Sequence, residues 1–230
     1  MEITMYDNLL QLPLFQGLGK NDFTRIIEKV KLHFRDFKQG TIIVKQDDPC
    51  EHLIFLLKGE INMERSSVGK QYILSEIITV PDVFEPQSIF GMHTTYTANY
   101  KAQTDVKIMS IEKSYILKEL NKHEVFRLNY LNYLSINCQI YNNKLWNIHS
   151  GSIEDKLAHF FLQHCRKPYG PKNLKITMEV LANCIDETRI NVSRLLNELQ
   201  QKKLVTLKRK GIFVPELIDL TDYLKNNQSK

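Results

Sequence analysis

The sequence predicts an α+β fold in three parts: an antiparallel β-roll or jelly roll, one long helix, and a C-terminal winged helix-turn-helix. Short β-rich runs alternate with turn signals from about residue 37 to residue 111. An apolar seam with helical spacing follows over 123–149, and two short helical patterns flank a tight turn within 177–197. These observations divide the chain into domains at 1–122, 123–150 and 151–230.

The N-terminal part has the pattern of a small antiparallel barrel or jelly roll, because its strands are short and regularly spaced. Gly-, Pro- and Asp-containing turns separate the candidate strands 41–44, 53–57, 60–65, 71–77, 101–104 and 106–111. Before them, Asn21 and Asp22 are expected to cap a short amphipathic helix. Its apolar residues are Phe23, Ile26, Ile27 and Val30.

Residues 123–149 predict a helix of roughly 40 Å with apolar side chains over much of its surface. One face repeats at three- and four-residue steps as an a/d heptad seam. The seam residues are Leu131, Leu134, Cys138, Tyr141, Leu145 and Ile148. We expect this seam to pack on a second copy of the chain; a helix buried within its own domain is the alternative. Ser150, Gly151 and Ser152 then form an expected hinge.

The stretch 177–197 is the most informative of the chain, since it predicts two helices with one buried stripe each. Thr177 and Thr188 are placed to cap them. The inward positions are Val180, Leu181, Cys184 and Ile185 before the turn, and Val192, Leu195, Leu196 and Leu199 after it. The second helix offers a polar face that suits the major groove of DNA. We expect DNA contacts from Thr188, Arg189, Ile190, Asn191, Ser193, Arg194 and Asn197.

The positive charge lies at the same end of the chain. Residues 151–230 contain 14 Lys and Arg against 9 Asp and Glu, a net charge of +5, whereas residues 1–150 are balanced at 17 against 17. Neutralisation of phosphates supplies much of the affinity of proteins for DNA. The charge distribution therefore fits a polyanion as the partner of the C-terminal domain.

Other classes of function find no support in the sequence. It has no Ser/His/Asp arrangement, phosphate-binding glycine loop or metal-spaced His/Glu cluster, so we expect no enzyme activity. No apolar run reaches the roughly 18 residues of a membrane span, and no signal-peptide pattern is present. We therefore expect a cytoplasmic protein without membrane contact. Four scattered cysteines, Cys50, Cys138, Cys165 and Cys184, are expected to be reduced thiols.

Three segments resemble the Crp/Fnr family of bacterial transcription regulators, and the resemblance covers nearly the whole chain. FKQGTIIVKQDDPCEHLIFLLKGEINM at 37–63 looks like the first barrel strands of that family. SIEDKLAHFFLQ at 152–163 and ITMEVLANCIDETRINVSRLLNELQQKKLV at 176–205 resemble its DNA-binding domain. The resemblance implies a transcription regulator that binds double-stranded DNA at an inverted repeat as a homodimer and contacts RNA polymerase. We expect an activator, and a repressor is the alternative that the sequence leaves open.

The resemblance also implies roles for single residues of the DNA-binding domain. Arg189 and Arg194 stand where family members contact DNA, and Ser193 matches the Ser of a Ser-Arg pair in the Fnr branch. Asp186 takes a turn position that is often Gly in the family. Ile190 replaces a base-reading Glu, so the half-site is expected to differ, with a thymine methyl in place of a cytosine amine.

A two-stranded wing is expected from 204–207 and 212–214. Its tip carries Lys208, Arg209 and Lys210, for which we expect salt-sensitive contacts to DNA phosphates. A tip that is only solvated is the alternative.

The segment corresponding to the cyclic-nucleotide site of the family is PDVFEPQSIFGMHTTYTA at 81–98. Glu85-Pro86 stands where the family has Gly-Glu, and Tyr96-Thr97 where it has Arg-Ser. Without the guanidinium that balances the cyclic phosphate, we expect no cAMP binding. The pocket could bind another small effector or be filled by its own side chains. By analogy, its lining is Phe84, Glu85, Gln87, Tyr96, Thr97, Tyr133 and Tyr141.

No cofactor is predicted, although one family alternative stays open. The N-terminal cysteine cluster needed for an iron–sulfur centre is absent. Haem is the open alternative, and its candidate axial ligands are His33, His52, His93, His123 and His149. Three kinds of control are thus compared: a small effector other than cAMP, constitutive DNA binding without an effector, and a haem-based gas or redox sensor.

Overall fold

The computed structural model describes residues 9–146 and 151–226, and they form two compact units. The first unit comprises 9–62 and 78–141. The second comprises 63–77, 142–146 and 151–226, so a hairpin from the N-terminal half belongs to the C-terminal unit. The domain bounds 1–122, 123–150 and 151–230 do not separate this hairpin, and they stay a prediction. No helix within the described residues is long and apolar enough to cross a membrane.

The first unit is built on antiparallel strands that follow a short helix, α1 (Lys20–Lys29). Four strands form one sheet in the order β1-β8-β3-β6, and β2 pairs with β7. This confirms the predicted antiparallel β-sheet domain. The strands are β1 (His33–Phe37), β2 (Ile42–Val44), β3 (His52–Lys58), β6 (Asp82–Phe84), β7 (Asn99–Ala102) and β8 (Val106–Glu112); the hairpin strands β4 (Glu60–Ser66) and β5 (Ile73–Thr79) lie between them in sequence.

Aromatic side chains join α1 and the sheet in the core of the first unit. The ring of Phe15 lies 5.6 Å from that of Phe23, 5.3 Å from that of Phe55 and 5.5 Å from that of Phe126, and all four are buried. Such ring pairs add to the stabilisation that burial of the apolar area supplies.

Two sequence predictions for α1 need correction. The helix begins at Lys20 after Gly19, which makes no side-chain cap, so Asn21 and Asp22 are not its caps. Phe23 and Ile26 are buried as expected, whereas Ile27 is only partly buried.

The long helix α3 (Glu124–Trp146) confirms the predicted helix, and it follows the short helix α2 (Lys113–Lys118). It begins in the first unit and ends in the second. The seam residue Ile148, the candidate haem ligand His149 and the hinge residue Ser150 lie outside the described residues.

The second unit is a winged helix-turn-helix with one additional strand from the hairpin. Its sheet has the antiparallel order β10-β11-β9-β5, and helices pack on it. α4 begins with a capping box, in which Ser152 Oγ accepts from the Asp155 N–H and Asp155 accepts from the Ser152 N–H. The elements are α4 (Ile153–His164), β9 (Lys172–Lys175), α5 (Met178–Cys184), α6 (Arg189–Gln201), β10 (Thr206–Lys208), β11 (Gly211–Val214) and α7 (Leu217–Asn226).

A buried ion pair holds β5 against β9. Glu76 and Lys172 face each other in the strand register, and Lys172 Nζ lies 2.9 Å from Glu76 Oε1. The second carboxylate oxygen of Glu76 accepts from the backbone N–H of Arg166 at 2.7 Å. Leu74, paired with Leu174, adds an apolar contact to the core of the unit. Removal of either partner of this pair would leave an uncompensated buried charge, which is strongly destabilising.

Candidate nucleic-acid interface and predicted effector pocket

The two helices of the helix-turn-helix begin at the predicted caps. Thr177 Oγ1 accepts from the Val180 N–H ahead of α5, and Thr188 Oγ1 accepts from the Asn191 N–H ahead of α6, each at 3.2 Å. Each cap satisfies a backbone donor that the first turn of a helix leaves unpaired. Thr188 therefore fixes the start of the helix that carries the exposed arginines.

The turn between α5 and α6 is fixed by Asp186 and by a lysine of α4. Asp186 has φ of +49°, in the left-handed region that Asp tolerates better than most residues. Lys156 Nζ donates to Asp186 O at 3.0 Å and to Glu187 Oε1 at 2.8 Å. The hydrogen bond from Lys156 lowers the pKa of the Glu187 carboxyl. These contacts set the direction in which α6 leaves the turn.

α6 buries the apolar stripe that the sequence predicted, while α5 departs from the prediction at two positions. Cys184, predicted to face inward, is exposed, and Val180 is only partly buried. Ala182 takes the inward position together with Leu181. The buried residues of α6 are Val192, Leu195, Leu196 and Leu199.

The opposite side of α6, here called the recognition face, points to solvent. It consists of Thr188, Arg189, Ile190, Asn191, Ser193, Arg194 and Asn197, of which Asn191 and Ser193 are partly buried and the others exposed. Ile190 is 73% exposed, so a large apolar side chain stands among polar ones. Asn191 Nδ2 donates to Glu187 Oε2 at 3.5 Å, and Arg194 Nη2 donates to Asn191 Oδ1 at 3.4 Å. These contacts steady one guanidinium of the face.

The wing is present and has more strands than expected. β10 and β11 pair through Thr206–Phe213 and Leu207–Ile212, and β9, which the sequence did not predict, continues the sheet beyond β11. The wing tip, Lys208, Arg209 and Lys210, is exposed, with Lys210 at φ of +58°. Lys208 Nζ lies 4.9 Å from the ring centre of Phe213, which orients its stem along the wing.

The predicted seam of α3 is largely exposed. Leu131 is 54% and Leu145 68% exposed, Cys138 is also exposed, and Leu134 is partly buried. Tyr141, placed by the sequence in both the seam and the pocket, is 43% exposed. Other exposed apolar side chains of the helix are Leu128, Ile136, Ile140 and Trp146. These exposed apolar side chains fit the predicted contact with a second copy of the chain better than they fit a helix buried within its own domain.

In the predicted pocket, the structure brings Glu85 and Thr97 together and leaves other members apart. Phe84, Glu85 and Tyr96 are buried, Gln87 and Tyr133 are partly buried, and Thr97 has an exposed side chain. The ring of Phe84 stacks on that of Tyr100 at 4.4 Å. The Glu85 carboxylate accepts hydrogen bonds from Ser88, Thr97 and Tyr100.

Ser88, Tyr100 and Tyr130 are pocket residues that the sequence did not predict. Tyr130 Oη donates to Pro86 O at 2.7 Å, and Tyr96 Oη donates to His52 O at 3.0 Å. Burial raises the pKa of both tyrosines, so they remain neutral donors. A signal for Ser88 was its short distance from Glu85 in sequence, whereas nothing local marked Tyr100 or Tyr130.

A cavity of about 180 Å³ lies beside Tyr96 in the first unit. Polar groups of Arg35, Asp48, His52 and Ser110 line it together with apolar side chains. Its volume is below the roughly 300–1,000 Å³ that is typical of ligand pockets. Of the predicted pocket residues, Tyr96 lines it.

The residues considered for metals and haem lie on separate elements. His33 is in β1, His52 in β3, His93 in the loop before β7, and His123 next to the start of α3. Within residues 9–146 and 151–226, no group of three or more His, Cys, Asp or Glu side chains is arranged to hold a metal. The four cysteines are free thiols, and burial raises the pKa of Cys50 to about 11.

The chain matches two protein-family models, one toward each end. A cyclic nucleotide-binding domain matches residues 34–123, and a Crp-like helix-turn-helix domain matches residues 155–223. The second match contains the whole recognition face and the wing. Both ends of the predicted architecture are therefore recognised independently.

Curated relatives match over nearly the full length. The chain is 26% identical to the global nitrogen regulator of Nostoc sp., over 90% of this chain and 93% of the relative. It is also 26% identical to the global nitrogen regulator of Synechococcus elongatus, over 88% of this chain and 91% of the relative. These relatives are regulators, which agrees with the expectation that the chain is no enzyme.

Solved structures show the same fold. The catabolite activator protein of Thermus thermophilus superposes with a TM-score of 0.54 at 19% identity, covering 94% of this chain and 99% of that one. A c-di-GMP responsive global regulator of Xanthomonas campestris superposes with a TM-score of 0.51 at 15% identity, covering 86% and 99%. At such identities the likeness concerns the fold.

Proposed function

The chain belongs to the Crp family of transcription regulators, and on that basis we propose that it binds an inverted-repeat operator in double-stranded DNA as a homodimer. The observation that carries the proposal is the recognition face of α6, which is exposed while the opposite stripe is buried. The helix presents two arginines that can bind guanine in a bidentate manner or hold phosphates. The wing tip adds the three cationic side chains of Lys208, Arg209 and Lys210.

The homodimer is supported by the exposed apolar surface of α3. Leu131, Leu145 and Trp146 are each more than half exposed, although a Leu side chain gains about 1.5–3 kcal/mol from full burial. The heptad spacing of the seam suits a parallel copy of the same helix. Such a dimer carries two recognition helices, and two-fold proteins of this class contact half-sites roughly 34–36 Å apart.

The operator sequence should reflect Ile190. An isoleucine at 73% exposure on the recognition face has no polar atom with which to contact a base edge. It can pack on the C5 methyl of thymine, as apolar side chains do in the major groove. We therefore propose a half-site with thymine at the position that Ile190 reaches.

Cyclic AMP is not the proposed effector. Glu85 and Tyr96 are buried where the family resemblance places the nucleotide, and both bind groups of the protein itself. A Tyr at position 96 offers no positive charge to a cyclic phosphate. Haem binding through one of the separate histidines is an alternative that an absorbance spectrum of the purified protein tests.

We propose further that the protein acts in the cytoplasm and activates transcription through RNA polymerase. The full-length similarity to global nitrogen regulators supports this role. Genes whose expression depends on nitrogen supply are accordingly the first in which to search for the operator.

The proposal is tested by selecting bound sequences from a random DNA pool with the full-length protein. We expect enrichment of an inverted repeat whose half-site centres lie about 10–10.5 base pairs apart. Sedimentation of the selected complex should give two chains per duplex. Enrichment of no sequence, or of a single half-site bound by one chain, would contradict the proposal.

A further inference from the structure

We propose that this chain carries a built-in ligand: the Glu85 carboxylate fills an oxyanion site formed by Ser88, Thr97 and Tyr100. The second part of the proposal is that this internal anion keeps the first unit in the conformation that permits DNA binding. DNA binding then needs no external effector. Only this second part rests on the proposed function.

Three donors converge on the buried carboxylate. Thr97 donates its backbone N–H to Glu85 Oε2 at 2.8 Å, and Ser88 donates its hydroxyl to the same oxygen at 3.0 Å. Tyr100 Oη donates to Oε1 at 2.9 Å. Glu85 is 4% exposed and Tyr100 is fully buried, so water does not substitute easily for these bonds.

The donor set selects an anion. The backbone N–H of Thr97 can only donate, and the two hydroxyl groups are oriented to do so. The two oxygens of a carboxylate offer enough lone pairs to accept all three of these hydrogen bonds. We call these three groups the oxyanion site. An uncharged amide in the same place would offer these three groups one acceptor oxygen in place of two.

The backbone at Glu85 is held in a conformation that its own residue type disfavours. Its φ of +36° and ψ of 55° lie in the left-handed region, which costs free energy for a residue with a Cβ. Such conformations persist where the surroundings determine them. Here the surroundings include the three bonds to the carboxylate, which only a side chain projecting from this backbone can make.

The carboxylate connects separate parts of the fold. Ser88 lies in the turn that follows Glu85. Thr97 is twelve residues from Glu85 in the sequence, and Tyr100 lies on β7. Phe84, next to Glu85, stacks on Tyr100, so the tyrosine is held from two sides. A bound anionic ligand would organise the same segments, and the family model that matches this region is that of a cyclic nucleotide-binding domain. In this chain the anion is part of the protein.

Removal of the carboxylate followed by its return in solution tests the first part. Glu85→Ala deletes the Cγ atom and the carboxylate, which together have the size of acetate. We expect the melting temperature of the full-length variant to fall by roughly 5–10 °C, because the buried donors lose their acceptor. Sodium acetate at about 100 mM should restore part of that loss relative to sodium chloride of equal ionic strength.

Two further variants make this result specific. Glu28→Ala removes an exposed carboxylate from α1 and should melt like the wild type in both salts. Glu85→Gln keeps the shape and one acceptor, and should fall between wild type and Glu85→Ala. Should Glu85→Ala fold only in acetate, the requirement for an anion is shown directly. Equal melting of Glu85→Ala and Glu28→Ala, or an acetate shift as large in the wild type, would overturn the oxyanion site.

The affinity for the selected operator tests the second part. Wild type should bind without any added effector, whereas Glu85→Ala should bind at least tenfold more weakly in chloride and recover in acetate. The ionic strength must be matched because DNA affinity depends steeply on salt. If the Glu85→Ala variant is destabilised but binds the operator with normal affinity, the carboxylate stabilises the fold and does not control DNA binding. Failure of the wild type to bind any operator would instead overturn the proposed function, while the melting result stands.

Discussion

The recognition face of α6 and the site around Glu85 use their polar groups in opposite ways. On α6, Arg189, Asn197 and Ile190 point to solvent. Asn191 makes side-chain hydrogen bonds of 3.4 Å with Arg194 and of 3.5 Å with Glu187, which precedes the helix. Around Glu85, the carboxylate is buried and has three bonds of 2.8–3.0 Å. One surface keeps its groups available for a partner, and the other has bound them internally.

The two ends of one regulator are under different structural requirements. A helix-turn-helix remains recognisable because its buried stripe and caps are needed for folding, whatever the exposed residues contact. A ligand pocket has no such requirement, since its own side chains can replace the ligand at little cost to the fold. The recognition face of this chain is thus exposed, whereas Glu85 and Tyr96 of the predicted effector pocket bond to groups of the protein itself.

The largest effect is expected from the recognition face. Arg194→Ala removes one guanidinium from each recognition helix of a dimer, and each bidentate contact to a base is worth about 1–3 kcal/mol. We expect operator affinity to fall about 1000-fold in a mobility-shift assay. Arg25→Ala, which removes an exposed arginine from α1, should bind like the wild type. If Arg194→Ala binds the operator with unchanged affinity, Arg194 does not contact DNA and the proposed role of the recognition face is wrong.

The seam of α3 is a third surface, and most of its apolar side chains are exposed. Leu145→Glu places a charge on the proposed dimer contact of both copies, and we expect about 100-fold weaker dimerisation by analytical ultracentrifugation. Ile218→Glu alters another exposed apolar residue, on α7, and serves as the matched control. A Leu145→Glu protein that remains dimeric at all concentrations would place the dimer contact elsewhere.

Ile190 is expected to determine the preference for one base pair of the operator. Ile190→Glu exchanges a thymine-compatible side chain for an acceptor that suits the cytosine N4 amine. We expect affinity for the selected operator to fall roughly 30-fold, and an operator with cytosine at that position to recover most of it. Equal preference of wild type and variant would show that Ile190 does not reach a base.

The smallest effect is expected at the wing. Replacement of Lys208, Arg209 and Lys210 by alanine should lower affinity for every sequence about equally. The slope of log K against log salt should decrease by roughly 0.9 for each phosphate that the wing no longer neutralises. Lys225→Ala, on α7, is the control. A wing variant with an unchanged slope would favour the alternative of a solvated tip.

The helix-turn-helix was predictable because its determinants are local in sequence. The caps Thr177 and Thr188 each bind a backbone N–H three residues ahead, and the stripe of α6 follows the helical period. The exposure of Cys184 escaped the prediction, because position 184 lies at the last turn of α5, where Ala182 and Leu181 already cover the core.

The elements that were not predicted depend on pairing between residues distant in sequence. The strand β9 reads KNLK, which has no strand pattern, and its Lys172 is buried because Glu76 neutralises it from a strand nearly a hundred residues earlier. β1 was missed because its central residues are exposed, so the expected alternation is absent. Glu85 was assigned to the pocket, but its partner Tyr100 could not be inferred from the period or spacing of β7.

Operator binding that is independent of cyclic AMP is tested most directly by measuring the affinity of the full-length protein for its selected operator with and without the nucleotide. We predict tight binding by a dimer, with Kd of about 10⁻⁸ M or below at physiological salt, and the same value at millimolar cyclic AMP. A change of tenfold or more on addition of the nucleotide would contradict the proposal that cyclic AMP is not the effector. Absence of sequence-specific binding under both conditions would contradict the proposal that the recognition face binds DNA.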